Sequence, residues 1–225
     1  MLKRSFLYAL PGLLVAASIA TATQTPFPDP AVDIPASEAH GPQTAVLAGG
    51  CFWGMEAVFE HLKGVTKVVS GFAGGEKSTA HYETVSSGTT GHAESVKITF
   101  DPSQITYDPS RITFGELLKV YFAVAHDPTE LNRQGPDTGT QYRSAVFYSN
   151  SEQKKVADAY IRQLEEMHVF SRPIVTQVLP LTGFYPAESY HQHFLDNHPD
   201  NPYIVYNDLP KLAALKKEFA GMCKR

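Results

Sequence analysis

Hydrophobic and polar residues follow two different periods along this chain, and the periods alternate. Residues 44–48 form a short apolar run that predicts a buried strand, and residues 55–62 carry apolar side chains at helical spacing. Residues 94–100 alternate between polar and apolar, which predicts a half-buried strand. The same patterns predict further strands at 66–72, 144–148 and 174–179, and further helices at 113–125, 151–168, 186–197 and 211–219. Because strands and helices alternate without an internal repeat, we expect a mixed α/β (α+β) two-layer sandwich.

The first 22 residues interrupt this pattern and predict an export signal. Lys3 and Arg4 supply a positive start, residues 6–20 are apolar or small almost throughout, and residues 20–22 form an A-x-A cleavage site. We therefore expect an exported protein, in the bacterial periplasm, with no stable membrane insertion once the signal is cleaved. An uncleaved anchor is the alternative. Residues 23–42 are rich in proline and predict a linker or an arm along the surface.

Composition and charge narrow the class of protein. The chain has 225 residues, 43% of them hydrophobic, so residues 43–225 are enough for a single domain with its own core and a short tail. The formal net charge is −4, and basic residues do not cluster among aromatic ones. We therefore expect no binding of nucleic acid, and we expect a monomer.

A glycine-rich junction holds the most reactive side chain. Residues 49–54 read Gly-Gly-Cys-Phe-Trp-Gly and join the first predicted strand to the first predicted helix. A helix N-terminus stabilises a thiolate, and glycines let the backbone turn and leave the sulfur open. The junction therefore predicts that Cys51 is an accessible, ionised nucleophile. The alternatives are a small buried side chain or a structural disulfide with Cys223, the only other cysteine.

Histidines in the polar segments raise two other possibilities, a zinc site and the active site of a cysteine hydrolase. His191 and His193, with His198 nearby, suggest zinc, but side chains two positions apart do not share a helix face. Histidines on the surface are the preferred interpretation, and we expect no metal. A cysteine hydrolase would need a histidine base, for which His92 is the best-placed candidate.

Four motifs carry a family resemblance when they are taken together. They are Gly-Cys-Phe-Trp-Gly at 50–54, Gly-His-Ala-Glu at 91–94, Gln-Gly-Pro-Asp-Thr-Gly-Thr-Gln-Tyr-Arg-Ser at 134–144 and Tyr-Pro-Ala-Glu at 185–188. In order and spacing they resemble the A-type peptide methionine sulfoxide reductases, from about residue 44 to about residue 199. The resemblance implies a ferredoxin-like core with helices on the sheet and long irregular loops. It also implies an enzyme without a cofactor that reduces the S-epimer of methionine sulfoxide, free or in proteins.

The resemblance also implies a role for each matching side chain. Cys51 would attack the sulfoxide sulfur and become a sulfenic acid, while Glu94 would protonate the oxygen. A carboxyl beside aromatic walls has its pKa raised towards neutrality, which suits that task. The remaining implied roles are hydrogen bonds to the oxygen or the acid from Tyr82, Asp137 and Tyr142, and a methyl pocket walled by Phe52 and Trp53.

These implied roles have ordinary structural alternatives. Taken singly, Glu94 fits a charge at the start of a strand, and Asp137 fits a turn because Pro-Asp-x-Gly is a good turn sequence. Tyr82 and Tyr142 fit core tyrosines with satisfied hydroxyls. The order of the motifs favours the catalytic assignment over these alternatives.

Cys223 is the remaining thiol, third from the end of the chain. Many members of the family that this chain resembles carry two cysteines in a glycine-rich tail, whereas this tail is short and has one. The implied cycle is that Cys223 attacks the Cys51 sulfenic acid, and a thioredoxin-like reductant then reopens the Cys51–Cys223 disulfide. The alternative is an exported binding domain in which a Cys51–Cys223 disulfide is permanent.

Overall fold

A computed structural model describes residues 26–35, 41–102 and 111–224, in which the predicted alternation of strands and helices builds a six-stranded mixed sheet. The strands of this part of the chain are β1 (Gln43–Ala48), β2 (Val65–Ala73), β3 (Ala93–Phe100), β4 (Arg133–Gln134), β5 (Asp137–Thr138), β6 (Ala145–Tyr148), β7 (Gln177–Pro180) and β8 (Phe184–Pro186). The helices are α1 (Phe52–Glu60), α2 (Tyr82–Val85), α3 (Phe114–Val120), α4 (Ser151–Glu166), α5 (Phe194–Asn197) and α6 (Leu209–Glu218). A π-helical turn, Tyr121–Ala125, follows α3, and another, Ile204–Asp208, leads into α6.

The strand order of the sheet is β7-β6-β1-β3-β2-β8. Neighbouring strands are antiparallel except for β6 and β7, which are parallel. Its central strands, β6-β1-β3-β2, are joined through α1 and α3 as β-α-β-β-α-β, the ferredoxin-like connection. The predicted mixed α/β class is therefore confirmed. β7 and β8 widen the sheet at its two edges, and β4 pairs with β5 in a separate short hairpin.

The two faces of the sheet bury different side chains, and this places one candidate residue. On β3, Val96 and Ile98 belong to the large core under the helices, while Ala93 belongs to a smaller cluster on the other face. Side chains two positions apart on a strand share a face. Glu94 therefore points to the same side as Val96, towards α1, whose Phe52 is fully buried.

The predicted helix at 186–197 is wrong. β8 ends at Pro186, a single 3₁₀ turn covers Ser189–His191, and α5 begins only at Phe194. His193 takes the left-handed conformation (φ 52°, ψ 35°), which interrupts a helix. The Gln192 side-chain amide accepts from the Ser70 N–H and donates to the Ser70 C=O, at 3.0 Å each, so it pairs with β2 as a strand backbone would.

The described part of the proline-rich arm, residues 26–35, contacts two helices. The Tyr160 hydroxyl of α4 donates to the Pro28 C=O at 2.6 Å, and Asp33 accepts from the Gly115 N–H at the start of α3 at 2.9 Å. The predicted export signal at 1–22 lies outside the described residues. Among the helices that the structure does describe, none has both the length and the apolar character needed to span a bilayer.

Candidate active site

Cys51 occupies the N-cap position of α1, directly after the β1 strand and a tight glycine turn. Gly50 has φ +87°, and a Cβ there would lie 2.5 Å from Cγ of Gln134, so glycine is required for both reasons. A Cβ on Gly54 would overlap Oδ1 of Asp208, so the start of α1 and the π turn before α6 approach closely. The cysteine therefore lies where several segments converge.

The expectation of an accessible, ionised thiol is wrong for this structure. Cys51 is only 7% exposed, and this burial raises the pKa of its thiol well above the usual value. The charges of Glu94 and Asp208 raise it further, while the Trp53 N–H and Lys211 act in the opposite direction without offsetting burial. The helix N-terminus is present as predicted, but here burial is the larger effect.

Glu94 lies beside the first turn of α1. Its side chain is buried, and Oε2 accepts the Phe52 N–H at 3.1 Å. Burial raises the pKa of Glu94 to about 8, and the nearby charge of Asp137 contributes in the same direction. At neutral pH the carboxyl is mostly protonated, as a proton donor must be.

Tyr82, Tyr142 and Asp137 lie around the same pair. Burial raises the pKa of both tyrosines, with the charges of Glu94 and Cys51 adding to it, so their hydroxyls stay protonated donors. Asp137 lies on β5 instead of in a turn, and it accepts a hydrogen bond from the Tyr203 hydroxyl. Burial also raises the pKa of Asp137.

A half-buried arginine joins two of the motifs. The Arg143 guanidinium donates to the carbonyls of Gly91 and His92 at 2.9 and 3.0 Å, directly before Glu94. The guanidinium also donates to the Thr140 C=O at 2.9 Å, within its own turn. These bonds hold the turn that carries Tyr142 against the start of β3. His92, the candidate hydrolase base, instead contacts the Glu76 C=O through Nε2 at 3.0 Å.

Aromatic rings pack together next to Cys51 along the sequence. Phe52 is fully buried, and Trp53 stacks on Phe194 with ring centroids 3.7 Å apart. The Trp53 Nε1–H donates to Nδ1 of His191 at 3.2 Å, and the His191 ring lies 4.2 Å from that of Tyr82. His191 is buried, so its interpretation as a surface histidine is wrong.

The sequence analysis did not identify the site residues that follow the last motif, which lie between positions 203 and 211. Tyr203 bonds Asp137, and burial raises the pKa of Tyr203, so it remains a donor. Asp208 is buried at the start of α6 and pairs with Lys211 at 3.1 Å. The i, i+3 spacing of this acid and base was readable in the sequence, but their approach to Cys51 depends on how α6 packs against α1.

Cys223 is the one predicted site residue that the described structure does not bring to Cys51. It forms an isolated β-bridge with Leu62, and the Lys63 N–H donates to the Met222 C=O at 2.8 Å, as the Lys224 N–H does to the His61 C=O. Because Cys51 precedes α1 and His61 follows it, about 15 Å of helix separates the two cysteines. Both are free thiols.

Taken together, a buried cysteine beside a protonated carboxyl and tyrosine hydroxyls is an arrangement typical of thiol-dependent enzymes that carry their own proton donors. The family model described as peptide methionine sulfoxide reductase matches residues 43–222. The chain belongs to the peptide methionine sulfoxide reductase family and is an oxidoreductase of that class.

Individual relatives agree with this placement. The chain is 57% identical over 184 residues to peptide methionine sulfoxide reductase MsrA 2 of Mesorhizobium japonicum, covering 82% of this chain and 91% of that protein. It is 50% identical over 200 residues to MsrA 2 of Synechocystis sp., covering 88% and 90%. Among solved structures it is similar to reduced Mxr1 of Saccharomyces cerevisiae (TM-score 0.60, 31% identity, 72% and 88% covered). Methionine sulfoxide reductase A of Corynebacterium diphtheriae gives a TM-score of 0.59 at 33% identity, with 79% and 84% covered.

Proposed function

We propose that this enzyme reduces the S-epimer of methionine sulfoxide, free or in proteins, through a sulfenic acid on Cys51. The observation that supports this most directly is the buried Glu94 carboxyl against the first turn of α1. A sulfoxide oxygen leaves only after it has gained protons, and Glu94 is a carboxyl that still holds its proton near neutral pH.

The protons and electrons of the first step balance within the site. Because both Cys51 and Glu94 have raised pKa values, the reactive form is the pair that shares one proton. In the reactive arrangement of this pair the proton lies on Glu94 and Cys51 is a thiolate, which attacks the sulfoxide sulfur while Glu94 gives the proton to the oxygen. In the resulting adduct the hydroxyl migrates to the Cys51 sulfur as the new sulfur–sulfur bond and the substrate sulfur–oxygen bond break. Methionine leaves, so the sulfoxide is reduced by two electrons and Cys51 is oxidised by two.

The surrounding rings and hydroxyls supply binding and orientation. The methyl group of the substrate packs against Phe52 and Trp53, since soft methyl–sulfur groups pack well on aromatic faces. Tyr82 and Tyr142 donate hydrogen bonds to the sulfoxide oxygen, because burial keeps both hydroxyls protonated. Fixing the methyl group and the oxygen on different walls, with the sulfur held towards Cys51, leaves one position for the third substituent and so selects one epimer.

Regeneration requires the C-terminal tail to move. We propose that Cys223 attacks the sulfenic sulfur, water leaves, and a dithiol protein of the thioredoxin type reduces the resulting Cys51–Cys223 disulfide. From Phe219, which is buried, the tail reaches at most about 14 Å to Cys223, against about 15 Å of α1. Releasing residues 220–224 alone therefore falls short, and the last turn of α6 must unwind as well.

The alternative of a permanent Cys51–Cys223 disulfide has less support. Both thiols are free, and they lie at opposite ends of α1, so a fixed bond would require the tail to leave its backbone pairing for good. For the location of the enzyme we propose the periplasm, on the basis of residues 1–22. Fractionation of cells expressing the full chain tests this, because deletion of those residues should retain the protein in the cytoplasm.

The decisive test supplies each methionine sulfoxide epimer separately, with dithiothreitol as reductant. We expect the parent protein to consume the S-epimer and leave the R-epimer, and we expect Cys51→Ser to consume neither. In the Cys223→Ser variant, a reagent that traps sulfenic acids should label Cys51. Reduction of the R-epimer at a comparable rate, or undiminished activity of Cys51→Ser, would refute the proposal.

A further inference from the structure

A second polar cluster involves α1 beyond its first turn, away from Cys51. Glu56 and Glu60 are four residues apart on this helix and therefore share a face. His193 reaches the same face from the loop before α5, where its Nδ1 lies 2.9 Å from Oε1 of Glu60. Each of the three side chains offers one ligand atom, and these atoms all lie within 4.8 Å of one another.

One carboxylate oxygen in this cluster lacks a partner. Glu56 is only 1% exposed, its Oε2 accepts the His193 N–H at 2.9 Å, and its Oε1 is buried without a hydrogen bond. Ser70 Oγ faces this carboxyl and favours its charged form, but it too makes no hydrogen bond of normal geometry. A buried carboxylate with an unsatisfied oxygen is unfavourable unless a positive group compensates it.

The charges around the cluster also favour a cation. Glu56 and Glu60 are both acidic, and Asp196 adds a further acidic side chain close to Glu60. The positively charged or titratable basic groups nearby are His193, Lys224 and His61. The cluster thus holds two carboxylates close together on one helix turn.

We propose that Glu56, Glu60 and His193 bind a divalent cation of the Zn²⁺ type. An imidazole nitrogen with carboxylate oxygens is a donor set that suits borderline cations such as Zn²⁺ better than Mg²⁺ or Ca²⁺. Ligand bonds of about 2.0–2.2 Å place tetrahedral donors about 3.3 Å apart, so small side-chain rotations close the cluster around the ion. Water supplies the fourth position, because the His193 side chain is 58% exposed.

Such an ion would have a structural consequence close to the active site. Glu56 and Glu60 belong to α1, whereas His193 belongs to the loop that also carries His191. The bound ion would tie that loop to α1 and so stabilise the contact between His191 and the Trp53 indole. It would not contact the reacting sulfur.

Titration of the purified chain with ZnCl₂, followed by calorimetry, tests the site. The Cys51→Ser/Cys223→Ser double variant is the parent here, because free thiols also bind zinc. We expect one Zn²⁺ per chain, and affinity at least about tenfold weaker in His193→Asn and Glu60→Gln, since even the outer partners of metal ligands contribute that much. His198→Asn is the matched control, because His198 is exposed at the other end of α5, outside the cluster, and stacks on Phe194.

A thermal unfolding series provides an independent readout. Zn²⁺ should raise the unfolding midpoint of the parent and of His198→Asn, and this rise should be absent in His193→Asn. Millimolar Mg²⁺ should not displace the bound Zn²⁺. No stoichiometric binding, equal affinity in His193→Asn, or displacement by Mg²⁺ would each overturn the proposal.

Discussion

The two ends of α1 carry the two cysteines in opposite surroundings. At the N-terminal end Cys51 is buried near side chains from β3, the π turn before α6 and α6 itself. At the C-terminal end Cys223 lies on a tail held mainly by backbone pairing with residues 61–63. The first end has fixed geometry and the second is attached at the surface. This difference suggests that the chemical step uses groups already in position, while regeneration depends on a detachable segment.

The electrostatics of the two ends differ in the same way. Around Cys51, burial raises the pKa of Glu94, Tyr82 and Tyr142, so the site keeps its protons near neutral pH. Around Cys223, Lys63 and Lys216 favour the thiolate, although burial still raises its pKa overall. In the proposed cycle, one end therefore stores protons for the leaving oxygen, and the other supplies a thiol that becomes reactive once it reaches solvent.

The largest expected effect distinguishes the roles of the two cysteines by comparing two reductants. With a thioredoxin-type donor, Cys223→Ser should stop after about one methionine per enzyme, because no thiol remains to resolve the sulfenic acid. With dithiothreitol the same variant should continue to turn over, since a small thiol reaches Cys51 directly. Counting methionine formed per enzyme with each donor measures this. Sustained turnover of Cys223→Ser with the protein donor would show that the tail has no role in regeneration.

Glu94→Gln tests whether the N-terminal end depends on its acid. The amide keeps an oxygen to accept the Phe52 N–H but has no acidic proton, so kcat/KM should fall about 10²- to 10⁴-fold. The matched control is Glu166→Gln, an exposed acid at the end of α4, which should keep parental activity. Initial rates with S-methionine sulfoxide and dithiothreitol check both. A loss below about tenfold in Glu94→Gln would remove general acid catalysis from the account.

The dependence of rate on pH sharpens the same comparison. The reactive pair shares one proton, so kcat/KM should rise as pH increases through the Glu94 pKa of about 8, by about fivefold between pH 7 and pH 8. It should fall again above the higher pKa of Cys51. Glu94→Gln should lack the rising limb. A profile that decreases through pH 8 in the parent would contradict the shared-proton mechanism.

Much of the fold was predictable because periodicity reports which face of an element is buried. The alternation at 94–100 and the helical spacing at 55–62 predicted β3 and part of α1, and together they direct Glu94 towards the start of that helix. The helix predicted at 186–197 failed because His193 adopts a left-handed conformation and Gln192 pairs with β2. These are long-range effects that a local pattern does not contain.

The candidate site was predictable in its residues more than in its electrostatics. A helix N-terminus is visible in sequence, but the burial that raises the pKa of Cys51 comes from side chains distant along the chain, Asp208 among them. Tyr203 lay outside every motif, and only the folded chain brings it to Asp137. The position of Cys223 at the far end of α1 likewise follows from how the tail pairs with residues 61–63.

The smallest expected effect concerns how firmly the tail is attached. The Lys63 ammonium donates to the Gly221 C=O at 2.8 Å, an exposed bond of about 0.5–1 kcal/mol. Lys63→Met removes it and keeps the apolar stem. If tail release limits regeneration, the Cys51–Cys223 disulfide should form about two to five times faster after one equivalent of sulfoxide.

Rapid quenching and alkylation of the remaining thiols measure that rate, with Lys67→Met as the control because Lys67 is exposed on β2. Lys63 also favours the Cys223 thiolate, but only while the tail is docked and its sulfur is out of reach of Cys51. Losing this charge therefore leaves the released, reacting tail unaffected. An unchanged rate in Lys63→Met would mean that unwinding the end of α6, where Phe219 is buried, is the slower step. The two ends of α1 would then be coupled through α6, which packs along both.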